Sequence, residues 1–149
     1  MYQKILVAID GSETADRALK AAIDLAKTFG SKLRIVFAAD ELPMTYDLPA
    51  ALLEDTRRHI LHEGKSILKK AAFVAKSSGV DDVDTHLIEG VVTGGRIAEL
   101  IVADAVQWSA SLIVVGTHGR RGVSRFFLGS VAQDVMRLAG LPVLIVPAS

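Results

Sequence analysis

The chain has no cysteine, one tryptophan, two tyrosines, four prolines and no excess of either charge. Without cysteine there is no disulfide framework and no thiolate metal site. Seventeen basic residues balance seventeen acidic ones, which argues against a nucleic-acid partner held by phosphate neutralisation. No apolar run approaches the ~20 residues that cross a bilayer, so membrane insertion is not expected. A basic leader and a cleavage pattern are also missing, because a strand-like run begins at Lys4. No signal peptide is expected, and the protein reads as cytoplasmic.

What remains is an aliphatic chain. Half of its 149 residues are apolar and only 5% are aromatic, so valine, isoleucine, leucine and alanine must build the core. That mixture suits a parallel sheet packed by alanine-rich helices. The length fits one domain, residues 1–149.

Five strand-like runs alternate with four helical ones. Residues 4–10 (KILVAID) read as a central parallel strand. Ser12 then caps a helix whose Ala15, Ala18, Leu19, Ala22, Ile23 and Ala26 recur at helical spacing, with Gly30 as its C-cap. A second strand covers residues 33–39, and a loop with two prolines follows. Residues 50–78 carry a long helical pattern that ends at Gly79. Gly64 inside it would cost ~1 kcal/mol against alanine if exposed. A weaker strand of mixed polarity spans residues 84–89, as expected near a sheet edge. Ile97, Leu100, Ile101, Ala105 and Trp108 mark a third helix, with Trp108 read as core. A strand at 112–115, a helix at 130–139 capped by Gly140, and a strand at 143–146 complete the chain.

Strict alternation implies βαβ units wound into an open α/β sheet with helices on both faces, Rossmann-like or flavodoxin-like. Ligands bind such sheets outside the carboxyl ends of the strands, where the winding reverses. Two loops with ligand-type chemistry leave strand carboxyl ends: Asp10-Gly11-Ser12 and Gly116-Thr117-His118-Gly119. A five-stranded order of 3-2-1-4-5 would make their strands neighbours.

The second loop follows Leu112-Ile113-Val114-Val115, and after nine intervening residues beyond Gly119 the pair Gly129-Ser130 opens a helix. Glycine lets backbone approach a ligand, and a helix start offers unpaired N–H groups and a positive dipole end. No Gly-Lys-Ser/Thr follows, so this is not a Walker loop. No Gly-x-Gly-x-x-Gly follows the first strand, so it is not the dinucleotide fingerprint either. Spacing alone leaves two readings open: a phosphate cradle, or glycines that turn the chain and let a helix pack closely.

The segments Ile113-Val114-Val115-Gly116-Thr117-His118-Gly119-Arg120-Arg121-Gly122 and Leu128-Gly129-Ser130-Val131-Ala132 resemble the universal stress protein family. So do the opening Lys4-Ile5-Leu6-Val7-Ala8-Ile9-Asp10-Gly11-Ser12 and the closing Pro142-Val143-Leu144-Ile145-Val146. The glycine spacing is similar to that of the family's ATP-binding branch. The resemblance implies that Asp10 approaches the ribose or metal-bound phosphates, with Mg²⁺ as the metal it would hold indirectly. It implies that Gly116 and Gly119 let the loop wrap ribose and phosphates. Gly129, Ser130 and Val131 would present amides to the phosphates, together with the Ser130 hydroxyl. Ala8, with Ala38 or Ala39, would line an adenine slot made roomier by alanine where the family often has valine. Residues 90–95 depart from the family's commoner Gly-x-Pro form.

Simpler roles compete. Asp10-Gly11-Ser12 can be a turn and cap. His118 reads as a solvated loop residue, and Arg120, Arg121 and Arg125 as a solvated basic cluster. His59 and His62 lack a carboxylate at ligand spacing. No general base is assignable, so a catalytic role is not expected beyond slow ATP hydrolysis. A flavodoxin would need a hydroxyl-rich loop after the first strand. A phosphoacceptor receiver would need an acidic pair there and a lysine after the fifth strand, where Pro147 stands. The expectation is an adenine-nucleotide-binding regulator (ATP, ADP or AMP); the alternative is an interaction module of the same fold that binds no nucleotide. The resemblance further implies a homodimer through the apolar edge strand Val143–Val146.

Overall fold

The computed structural model describes residues 1–39, 49–89, 97–118 and 128–148. Nine elements alternate along the chain: β1 (Lys4–Ala8), α1 (Glu13–Phe29), β2 (Lys32–Ala39), α2 (Ala50–Ser77), β3 (Val83–Glu89), α3 (Ile97–Gln107), β4 (Leu112–Gly116), α4 (Ser130–Leu138) and β5 (Val143–Val146). The strands form one parallel sheet in the order β3-β2-β1-β4-β5. β1 and β4 are therefore neighbours at the reversal, as ligand binding between them requires.

Side chains alternate across the sheet with period two. Ile5, Val7, Leu33, Ile35, Phe37, Leu112 and Val114 face one layer, where α1 and α2 bury their small apolar residues. Leu6, Val36, Ile88, Ile113 and Val115 face the other, covered by α3 and α4. Both faces of the central strands are dry, which is why their sequences read as unbroken apolar runs.

Local chemistry sets the helix ends. The Ser12 hydroxyl accepts the Ala15 N–H at 3.2 Å, and Gly30 closes α1 at φ 63°, a left-handed angle that favours glycine. Three expectations need correction. β1 stops at Ala8, because residues 10–12 turn back at once. α4 ends at Leu138 with Ala139 extended, and Gly140 is not left-handed, so there is no glycine C-cap. Gly64 is buried, and a Cβ there would lie 2.7 Å from Phe37 Cδ1 and 2.8 Å from Leu87 Cδ1. Its bare backbone is what seats α2 on β2 and β3.

Candidate functional site

The carboxyl end of β1 leads into a tight turn. Gly11 sits at φ 83°, and the Asp10 carboxylate accepts the Ser12 N–H at 2.9 Å. Asp10 is thus a turn-forming residue, half-buried at the sheet rim. Ser12 Oγ and Thr14 Oγ1 lie 3.2 Å apart, and the Thr14 hydroxyl donates to the His118 carbonyl. This last bond ties the first turn of α1 to the loop after β4.

Gly116 ends β4 against the same turn. A Cβ on it would stand 2.9 Å from the Thr14 carbonyl oxygen, so any side chain there would push α1 away from the sheet. The next residue joins three elements: the Thr117 N–H donates to the Val146 carbonyl of β5 at 3.0 Å, and the Thr117 carbonyl accepts the Gly129 N–H at 2.6 Å. A Cβ on Gly129 would come within 2.7 Å of that carbonyl and 3.4 Å of His118 Cα. Residues 116–118 and the start of α4 are therefore in direct contact.

α4 begins with no side-chain cap. Its first intrahelical bond runs from the Gln133 N–H to the Gly129 carbonyl, which leaves the amides of Ser130, Val131 and Ala132 without an intrahelical acceptor. Ser130 is exposed and Val131 half-buried. The free amides and the helix dipole give this rim a local positive potential suited to an anion. The expected donor set shrinks by one, because the Gly129 N–H is already committed to Thr117.

Ala8 and Ala38 share the α3–α4 face and are both half-buried. Ala39, one residue on, is buried in the opposite layer. Alternation along β2 thus places Ala38 on the same face as Ala8 and Ala39 on the opposite one. His118 is half-buried: Nδ1 lies 2.9 Å from Thr117 Oγ1, and Nε2 is buried with no hydrogen-bond partner among the described residues. Gly119, residues 90–95, Arg120, Arg121 and Arg125 fall outside the described residues.

Two features escaped the sequence reading. Thr14 joins the two loops, and its only sequence signal was a hydroxyl two residues after a cap. The second is a charged cluster at the amino end of the sheet, remote from this rim. Asp104 of α3, 5% exposed, lies 2.6 Å from His86 Nδ1 and 3.1 Å from Arg34 Nε. Arg34 also meets Asp84 at 3.5 Å. Trp108 is half-buried there at the border of the α3–α4 core, packed against it, with Lys4 Nζ 5.3 Å and the Arg34 guanidinium 5.6 Å from its ring centroid. Such cation–π contacts hold the amino ends of β1 and β2 to α3. Among the described residues no group of three or more histidines and carboxylates could hold a metal, and no helix is long and apolar enough to cross a membrane.

Known proteins share this architecture. A universal stress protein of Methanocaldococcus jannaschii is 37% identical over 147 residues, covering 98% of this chain and 82% of its own length. The crystal structure of a universal stress protein family member from Burkholderia pseudomallei, 34% identical, superposes with a TM-score of 0.77 over 98% of this chain and 96% of its own. Two further structures carry ligands. A universal stress protein in complex with cAMP is 28% identical with TM-score 0.73, covering 99% of this chain and 99% of its own. One from Archaeoglobus fulgidus in complex with dAMP is 27% identical with TM-score 0.66, covering 97% of this chain and 98% of its own. The pattern of the universal stress protein family matches residues 1–147, and with it this chain belongs to the universal stress protein family.

Proposed function

We propose that the chain binds an adenine nucleotide, ATP in particular, at the carboxyl ends of β1 and β4. There it acts as a cytoplasmic stress-response regulator in which the nucleotide is a bound signal. The observation that carries this reading is the contact between residues 116–118 and the uncapped start of α4. Amides of Ser130 and Val131 and the Ser130 hydroxyl take the phosphates. Gly116, and Gly119 beyond the described residues, keep the loop free of side chains that would block the ribose. Ala8 and Ala38 offer small, half-buried surfaces to the base. Asp10 stands at the same rim, where it would hold Mg²⁺ indirectly through water. Bound Mg²⁺ would neutralise phosphate charge, and nothing in the site assigns a base for hydrolysis. The cAMP and dAMP complexes of relatives support an adenine ligand. The dimer would form through β5.

Calorimetric titration with ATP, AMP and cAMP tests the reading. ATP should bind, and Ser130→Ala should weaken it by about 1.5–3 kcal/mol, the worth of a hydrogen bond to a charged group. A folded protein that binds none of the three would be an interaction module instead.

A further inference from the structure

The second half of α2 presents a face that the nucleotide site does not use. Lys65, Lys69, Lys70 and Lys76 are exposed there, and no acidic residue occurs between Glu63 and Asp81. With zero net charge over the whole chain, these four cations are a local excess. Among the described residues none of the four has an ion-pair partner. The first half of the same helix behaves differently: Arg57 pairs with Glu54 and Glu89, and Arg58 with Glu54 and Asp55.

Phe73 lies among these lysines and is 72% exposed. The buried stripe of α2 consists of Gly64, Leu68, Ala71 and Ala75. At 100° per residue Phe73 points away from that stripe, and all four lysines fall within about 80° of it. Val74, 48% exposed, adjoins it. The helix dipole accounts for Lys76, in the last turn, but its influence fades within that turn and does not reach the other three. Lys27 of α1 extends the basic surface, with its Cε 3.8 Å from where a Cβ on Gly79 would stand.

We propose that this face docks on an anionic lipid surface, with the lysines drawn to the headgroups and the Phe73 ring entering the interface. Three observations favour lipid over an acidic groove or a nucleic acid. The surface is the convex crest of one helix, which fits a flat, yielding partner. Its cations are all lysine, point charges that respond to a diffuse negative field, without the forked guanidinium that grips a single phosphate. A phenylalanine at the crest suits a medium that accepts an apolar ring on one side and water on the other. The face lies toward the amino ends of the strands, so docking leaves the rim at β1 and β4 open.

Co-sedimentation of the full chain with vesicles tests this directly. Vesicles of phosphatidylcholine mixed with phosphatidylserine should pull the protein down, and added salt should release it; phosphatidylcholine alone should not bind. Lys69→Glu combined with Lys70→Glu should lower partitioning at least ~25-fold, about fivefold for each lysine lost. Phe73→Ser should weaken binding while leaving its salt dependence intact. All three positions are exposed, and unchanged thermal melting confirms that each variant folds. Equal recovery with both vesicle types, no recovery with either, or indifference to these substitutions overturns the proposal. So does tighter binding of mixed-sequence duplex DNA through the same lysines.

Discussion

The two edges of the sheet solve the same problem in opposite ways. β3 is seven residues long and fenced by charge: Lys32–Asp82 just before it, then Arg34–Asp84, His86–Asp104 and Arg57–Glu89. α2 covers one of its faces, and on the other His86 reaches Asp104 of α3. β5 is four residues, Val-Leu-Ile-Val, with Leu144 exposed and α4 exposing Met136 and Leu138. Inward ion pairs make an edge self-sufficient, whereas a bare apolar edge invites another strand. One edge is closed by its own chain, and the other is where a second copy would add.

Breaking the closed edge should have the largest effect. Asp104→Ala leaves Arg34 and His86 facing each other without their shared carboxylate, and removing one partner of a buried pair costs about 3–5 kcal/mol. Denaturant unfolding should show that loss; a change below about 1 kcal/mol would mean that packing alone holds α3 to β2 and β3. Gly64→Ala should act next. Its Cβ must displace Phe37 and Leu87, an overpacking cost of about 1–3 kcal/mol, partly offset by the ~1 kcal/mol that alanine gains in a helix. A more stable variant would show that the seat of α2 is loose. The smallest effect on stability, and the sharpest on assembly, belongs to Leu144→Lys. Light scattering at micromolar concentration should find a dimer for the parent chain and a monomer for this variant, with melting nearly unchanged. A monomeric parent would end the argument from the open edge.

Much of the architecture was readable from pattern alone. Short apolar runs and helical spacings located every strand and helix, and the Ser12 and Gly30 caps stand where their chemistry placed them. The long-range partners were hidden. Trp108 fits a helical stripe, and only the fold brings Lys4 and Arg34 over its ring. Asp104 occupies the same stripe as Ile101 and Ala105, so a charge on the apolar side was visible, but its partners lie on β2 and β3. Ala38 and Ala39 look equivalent until strand alternation sends them to opposite faces. At the rim, glycine spacing predicted close backbone approach. It left open whether they serve a ligand or the chain, and Gly116 and Gly129 are required by the chain itself, with Thr14 and Thr117 carbonyls occupying the space a side chain would need.

The Thr117 peptide has a mechanical consequence. Its amide hangs on Val146 and its carbonyl on Gly129, so the outermost strand and the opening turn of α4 are linked through a single residue. A sideways pull on the sheet border reaches the uncapped amides of α4 without slack, and tension applied at those amides travels back to the border by the same route.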